Sequence, residues 1–178
     1  MTDKDVENLQ LRAREIRLLA LDVDGVLTDG GVIYSSDGAE LKIFNIKDGI
    51  GIRLLQKAGV EVAIITGRHS EMVDRRAAEL GIGKVIQGRA DKLTALRELC
   101  LERDLQLAQC AYMGDDLPDL AAIKAVGLGL GVADAVAAVR NAADWCSLAN
   151  GGAGAVREAC EWLLNARGQW AELEAGYQ

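Results

Sequence analysis

The chain holds one proline, Pro118, and one histidine, His69, among 178 residues, and its 20 basic residues are outnumbered by 27 acidic ones. Each shortage excludes something. With a single proline and no repeat, low-complexity run or long linker, nothing marks a second domain, so one domain over residues 1–178 is expected, long enough to bury a substantial core. A formal charge of −7 argues against a nucleic-acid partner, which would call for a basic face. Cys100, Cys110, Cys146 and Cys160 are widely spaced, no pair has zinc-finger spacing, and His69 is the only histidine available to complete a zinc site. They read as reduced thiols of a cytoplasmic protein. No apolar run approaches a membrane span, and Met1 to Gln10 is polar and acidic instead of basic and then apolar, so neither a membrane partner nor an export signal is expected.

What is present alternates between two periodicities. Val6, Leu9, Ala13 and Ile16 recur at helical spacing, and Leu18 to Val23 is a continuous apolar run of the buried-strand type. Val60 to Ile65, Lys84 to Gln87, Cys110 to Met113 and Gly127 to Val132 repeat that run, each after a helical segment such as Gly51 to Ala58 or Ser70 to Leu80. This predicts an α/β fold built on a doubly wound parallel sheet. One interruption occurs: Gly31 to Tyr34 and Glu40 to Phe44 flank Ser35-Ser36-Asp37-Gly38, which predicts a β-hairpin insertion over about 30–46.

Four polar clusters sit at the ends of the apolar runs: Asp22-Val23-Asp24-Gly25, Thr66-Gly67-Arg68, Lys92, and Gly114-Asp115-Asp116. In an open α/β sheet, ligands bind beyond the carboxyl ends of the strands, so all four clusters face one rim. Their chemistry is that of phosphoryl transfer through a covalent aspartate. Asp22 can attack phosphorus if a cation neutralises the repulsion between two anions, and Asp22 and Asp115 offer oxygen ligands for Mg²⁺. Asp24 can protonate the leaving alkoxide and later deprotonate water, given the bend that Gly25 permits. Thr66 would hydrogen-bond a phosphoryl oxygen, Lys92 would balance charge, and Asp116 and Asp119 could hold metal-bound waters. Taken singly, each cluster is also a turn, a helix cap or a solvated side chain. A structural account must explain four clusters separately, whereas the enzymatic one explains their common position.

The order Asp-Val-Asp-Gly, Thr-Gly-Arg, Lys, Gly-Asp-Asp resembles that of the haloacid dehalogenase superfamily of phosphatases, from about Leu18 to the helix near Leu164. The resemblance implies a Rossmann-like fold, Asp22 as nucleophile, Asp24 as acid and base, and Thr66 and Lys92 as phosphate holders. It also implies Mg²⁺ held by Asp22, the Asp24 main-chain carbonyl and Asp115. Finer motifs are Asp24-Gly25-Val26-Leu27-Thr28-Asp29-Gly30, Phe44 to Gly51, Arg76 ahead of Leu80-Gly81-Ile82, and Gly151-Gly152-Ala153-Gly154-Ala155-Val156-Arg157-Glu158. They are similar to those of the subgroup that hydrolyses 3-deoxy-D-manno-octulosonate 8-phosphate, and of relatives acting on nonulosonate 9-phosphates. Either substrate is a small sugar-acid phosphate.

About two dozen residues separate Asp24 from the next helix, too few for the cap domain of larger members of the superfamily. The resemblance implies a capless enzyme whose hairpins assemble in a homotetramer, with a neighbouring subunit and its C-terminal tail, about 168–178, helping to cover the substrate. Val32, Tyr34, Leu41 and Ile43 suit that assembly, since a lone hairpin needs a partner for its apolar face; packing onto its own domain is the other reading. Bidentate recognition of the sugar carboxylate points to Arg68, beside Gly67 at the rim, and to Arg76, whose other reading is a solvated helix face. Lys47 and Asp48 either reach substrate hydroxyls or, for Asp48, cap the next helix. His69, beside a helix start, reads as exposed. Ala153 stands where relatives commonly have a basic residue.

A response-regulator receiver also combines acids, a phosphoryl-accepting Asp, Thr and Lys on a parallel sheet. Its chain order differs. Receivers place the acid pair first and the acceptor on the third strand, whereas here the acceptor-type Asp22 comes first and the acid pair follows Lys92.

Overall fold

The computed structural model describes residues 3–38 and 40–177. The outermost residues of the N-terminal stretch, Ala39 in the hairpin and the last residue of the C-terminal tail lie outside them. In chain order the elements are α1 (Asp3–Arg14), β1 (Leu18–Leu21), β2 (Ile33–Tyr34), β3 (Glu40–Leu41), α2 (Ile46–Lys57), β4 (Glu61–Ile65), α3 (Glu71–Leu80) and β5 (Lys84–Ile86). They continue as α4 (Lys92–Arg103), β6 (Cys110–Gly114), α5 (Leu120–Ala125), β7 (Leu128–Gly131), α6 (Ala137–Ala142), β8 (Trp145–Cys146), α7 (Ala155–Ala166) and α8 (Trp170–Ala175).

Six strands form one sheet in the order β5-β4-β1-β6-β7-β8, every neighbouring pair parallel. The chain builds outward from β1 to β4 and β5, then returns to the other side of β1 for β6, β7 and β8. That reversal puts the switch point between β1 and β6, where Leu21 pairs with Met113. All four residues of β1 and all five of β6 are buried, so helices cover both faces, as the continuous apolar runs require. Helices α1, α2, α7 and α8 pack together as one group, and α4, α5 and α6 as another.

The expected doubly wound sheet is present, with β1, β4, β5 and β7 one or two residues shorter than the apolar runs, β6 one residue longer, and one strand more. β8 has only two residues, too few for a periodicity, and is held against β7 while Trp145 stacks on Trp162 at 5.5 Å. Among the described residues, the hairpin pairs Ile33 with Leu41 and Tyr34 with Glu40. α2 starts at Ile46 instead of Gly51, because Asn45 caps it by accepting from the Lys47 amide at 2.8 Å. Asp48 consequently lies in the first turn of that helix. Among the described residues, no helix is long and apolar enough to cross a membrane.

Candidate active site

The sheet itself pins the first acid. The Asp22 amide donates to the Met113 carbonyl at 3.0 Å, extending the β1–β6 ladder by one residue. The chain then turns sharply, with the Val23 carbonyl accepting from Val26, Leu27 and Thr28. Gly25 makes that turn with φ +89, a region that side chains rarely enter, and a Cβ there would stand 2.1 Å from Asp115 Oδ2. The loops after β1 and β6 therefore touch through a glycine that no other residue replaces.

Asp115 follows β6, and Lys92 is the first residue of α4, whose start is set by Asp91 accepting from the Thr94 amide at 3.1 Å. Thr66 follows β4, its amide donating to the Ile86 carbonyl at 2.9 Å. These residues, with Asp24, Gly67 and Arg68, line one cleft of about 350 Å³ at the switch point. The four clusters are brought together as expected from strand-end positions.

Lys92 is the electrostatic centre. Its buried ammonium lies 2.6 Å from Asp22 Oδ2 and 2.6 Å from Asp119 Oδ1. Asp119 is fully buried and saturated: Oδ1 also accepts from the Tyr112 hydroxyl at 2.8 Å, and Oδ2 accepts from the amides of Asp115 and Asp116 at 3.1 and 3.2 Å. A Cβ at Gly114 would stand 2.3 Å from the Asp119 side chain, so that glycine makes room for the anchor. The sequence suggested a hold on metal-bound water for Asp119; the structure places it beside Asp22 and Asp115 and adds a role as anchor for Lys92 and for the loop carrying Asp115. Asp116, given the same role, is exposed and caps the following turn by accepting from the Leu117 amide at 2.7 Å.

Three carboxylates face this single ammonium. Burial first, and then the charge of Asp119, pushes Asp22 up to about 6; burial and the charge of Asp22 push Asp115 up to about 7. Burial by itself would pull Lys92 down, but Asp22 and Asp119 together raise it, so it stays an ammonium. Oδ1 of Asp22 and Oδ1 of Asp115 are buried with no hydrogen-bond partner. Carboxylate oxygens of Asp22, Asp115 and Asp119 lie within 4.8 Å of one another. Unpartnered buried carboxylate oxygens are costly unless a cation meets them, and an all-oxygen donor set suits a hard one such as Mg²⁺. The residues present fit such an ion, with Asp22 and Asp115 as the side chains free to hold it.

Asp24 is engaged by the hairpin, which no sequence signal assigned to it. Lys42 forms an ion pair with Asp24 Oδ1 and lies 3.5 Å from Glu40. Arg68 approaches Asp24 Oδ2 at 3.7 Å and also meets Glu40 at 3.0 Å and the Tyr34 hydroxyl at 3.3 Å. The alternation of a strand groups Glu40 with Lys42 on one face and Leu41 with Ile43 on the other, but does not say which face meets Asp24.

Two expected substrate contacts are placed elsewhere. Asp48 is 1 % exposed, and its Oδ1 accepts from the Arg157 amide at 2.8 Å, capping α7 instead of reaching the cleft. Arg76 lies over the Phe44 ring at 5.9 Å and donates to the Asn45 carbonyl at 3.3 Å, beside a separate pocket lined by Lys47, Arg53 and Arg157. Neither borders the cleft of its own chain. His69 is exposed, as expected.

Residues 78–158 match the family described as haloacid dehalogenase-like hydrolase. The chain is 46% identical over 163 residues to the 3-deoxy-D-manno-octulosonate 8-phosphate phosphatase of Escherichia coli (strain K12), covering 92% of this chain and 87% of that one. Among solved structures, it is similar to the same phosphatase from Moraxella catarrhalis in complex with magnesium ion, phosphate ion and a KDO molecule. There the TM-score is 0.95 at 46% identity, covering 97% of this chain and 99% of the other. A cobalt-bound deoxy-D-mannose-octulosonate 8-phosphate phosphatase from Haemophilus influenzae gives a TM-score of 0.87 at 40% identity, covering 90% and 94%. Identity at this level over nearly the whole of each chain places the protein: it belongs to the haloacid dehalogenase-like hydrolases, in the family of the 3-deoxy-D-manno-octulosonate 8-phosphate phosphatases.

Proposed function

We propose that this protein is a Mg²⁺-dependent phosphomonoesterase that hydrolyses 3-deoxy-D-manno-octulosonate 8-phosphate to the free sugar acid and inorganic phosphate, through a phosphorylated Asp22. One observation carries the reading. Asp22 is a buried carboxylate at the sheet switch point with one oxygen neutralised by Lys92 and the other unpartnered, and Asp115, which also has an unpartnered oxygen, brings a carboxylate oxygen within 4.8 Å of one of Asp22.

A bound Mg²⁺, held by Asp22 and Asp115, supplies the positive charge that lets one anion approach another. A carboxylate oxygen of Asp22 attacks phosphorus, while Thr66 and Lys92 hold the phosphoryl oxygens and Arg68 borders the cleft toward the sugar. Asp24 gives its proton to the bridging oxygen as the P–O bond breaks. In the second half it takes a proton from the water that attacks the aspartyl phosphate, and Asp22 leaves as carboxylate. Tyr112, raised by burial and by the charge of Asp119, stays a neutral donor and keeps Asp119 oriented.

The hairpin exposes Val32, Ile33, Tyr34, Leu41 and Ile43 together, with Ile46 beyond it, an apolar surface that suits assembly with further copies as a homotetramer. Arg76, away from the cleft of its own chain, is then available to a neighbour's. Four free thiols, Cys100 and Cys110 only 3.4 Å apart, fit a reducing cytoplasm. Phosphate release with Mg²⁺ across a panel of sugar phosphates tests the substrate. The octulosonate 8-phosphate should give the highest kcat/KM; a preference for a nonulosonate 9-phosphate, or equal rates on simple phosphate esters, would overturn the assignment.

A further inference from the structure

The cleft residues account for the nucleophile, the cation and the phosphate, yet a further lysine outside that set, Lys42 on the hairpin, has a side chain only 2 % exposed. An ammonium is costly to bury unless it is paired, and Lys42 is paired with Asp24 and, at 3.5 Å, with Glu40. It does not border the cleft, so its effect on the reaction must pass through another group. That group is Asp24, which stands on the sharp turn after β1 and takes its ion pairs from Lys42 and Arg68.

The geometry points to Lys42 as the positioning residue that holds the Asp24 carboxylate for both of its proton transfers, an inference resting on the phosphatase reading above. The hairpin is built for this. Its charged face carries Glu40 and Lys42, and Glu40 braces Lys42 on one side and Arg68 on the other. Its opposite face, Leu41 and Ile43, is 52 % and 68 % exposed. With no cap domain above the site, this two-stranded element orients the acid from the side. Without Lys42 the Asp24 carboxylate would rotate toward Arg68, away from the position where it can protonate a leaving alkoxide or accept a proton from water.

The test separates proton transfer from nucleophilic attack by the leaving group. A sugar alkoxide needs the proton from Asp24, whereas nitrophenolate leaves without one, although hydrolysis of the aspartyl phosphate needs Asp24 in either case. For Lys42→Met, kcat on 3-deoxy-D-manno-octulosonate 8-phosphate should fall about 100-fold with little change in KM. On 4-nitrophenyl phosphate, the same variant should show a burst near one nitrophenolate per site, followed by slow turnover. Lys42→Arg should recover most of the rate. Should Lys42→Met not fold, Lys42→Gln carries the same comparison. A variant that keeps wild-type kcat on the sugar acid, or that loses burst and steady-state rate in proportion, overturns the positioning role. Wild-type protein that releases phosphate from neither substrate overturns the phosphatase reading itself.

Discussion

Lys92 Nζ lies 2.6 Å from Asp119 Oδ1, a residue 27 positions further along the chain, and the same nitrogen lies 2.6 Å from Asp22. Asp119 thus sets where Lys92 stands, and Lys92 sets where Asp22 stands. An amide at position 119 has only one oxygen, so it cannot serve both the Lys92–Tyr112 pair and the amides of Asp115 and Asp116. Asp119→Asn should therefore lower kcat by about 10-fold to 100-fold, equivalent to about 1.4 to 2.8 kcal/mol of lost transition-state stabilisation. Steady-state kinetics at saturating Mg²⁺ would check this, and wild-type kcat would show that Lys92 does not need the anchor.

Asp22→Asn keeps an oxygen for Lys92 but removes the nucleophile. Phosphate release should fall by at least about 10⁴-fold, while the circular dichroism spectrum stays that of the wild type. An active variant would exclude a phosphorylated Asp22.

Cation binding should depend on pH because its ligands are raised. Burial and mutual repulsion place Asp22 at about 6 and Asp115 at about 7, above the ordinary 3.8. In the cation-free protein these raised carboxylates contribute stability at low pH that is lost as pH climbs from about 4 through those values, since the folded state then holds more protons than the unfolded chain. Mg²⁺ must displace the same protons, so its affinity should rise from pH 5 to pH 8. At a concentration about 100 times its Kd, it should stabilise the protein by about 2.7 kcal/mol. Thermal unfolding with Mg²⁺ and with a chelator, at several pH values, measures this gain. Asp115→Asn should abolish it, and a gain that does not change with pH would contradict the ligand assignment.

Asp48 supplies a second pH effect, away from the cleft. Burial pushes its carboxyl up to about 6 despite the Arg157 amide, and its Oδ2 has no partner. A raised carboxylate weakens the fold as it ionises, so stability should fall between about pH 4 and pH 6 on its account. Asp48→Asn keeps an oxygen for the Arg157 amide and cannot ionise. The unfolding free energy of the variant relative to the wild type should therefore improve by up to about 3 kcal/mol between pH 4 and pH 7. Denaturant titrations across that range would detect it; a constant difference would mean that Asp48 is not held as the buried cap of α7.

Much of the cleft was legible in the chain because its residues sit at strand ends. An apolar run such as Leu18 to Leu21 announces a buried strand, and the polar residue that ends it, Asp22, must then lie on the rim where ligands bind. Lys42 was not legible as a partner of Asp24, because a hairpin of two paired residues per strand leaves its direction of packing open. Asp48 misled, and the pairing of Asp119 with Lys92 stayed hidden, for a related reason. Each stands near a motif in sequence, but the group it serves, the Arg157 amide or the Lys92 ammonium, arrives from another part of the chain.

By itself, then, the sequence determined the class of fold and the chemical identity of the groups on one rim, since apolar periodicity and strand-end position are local properties. Only the tertiary structure decided which partner each charge has. Lys92 between Asp22 and Asp119, Asp24 held by Lys42, and Asp48 capping α7 are pairings across the sheet, the hairpin and two packed helices. The strength of such pairings depends on distance and burial, which arise when the elements pack and leave no period in the chain.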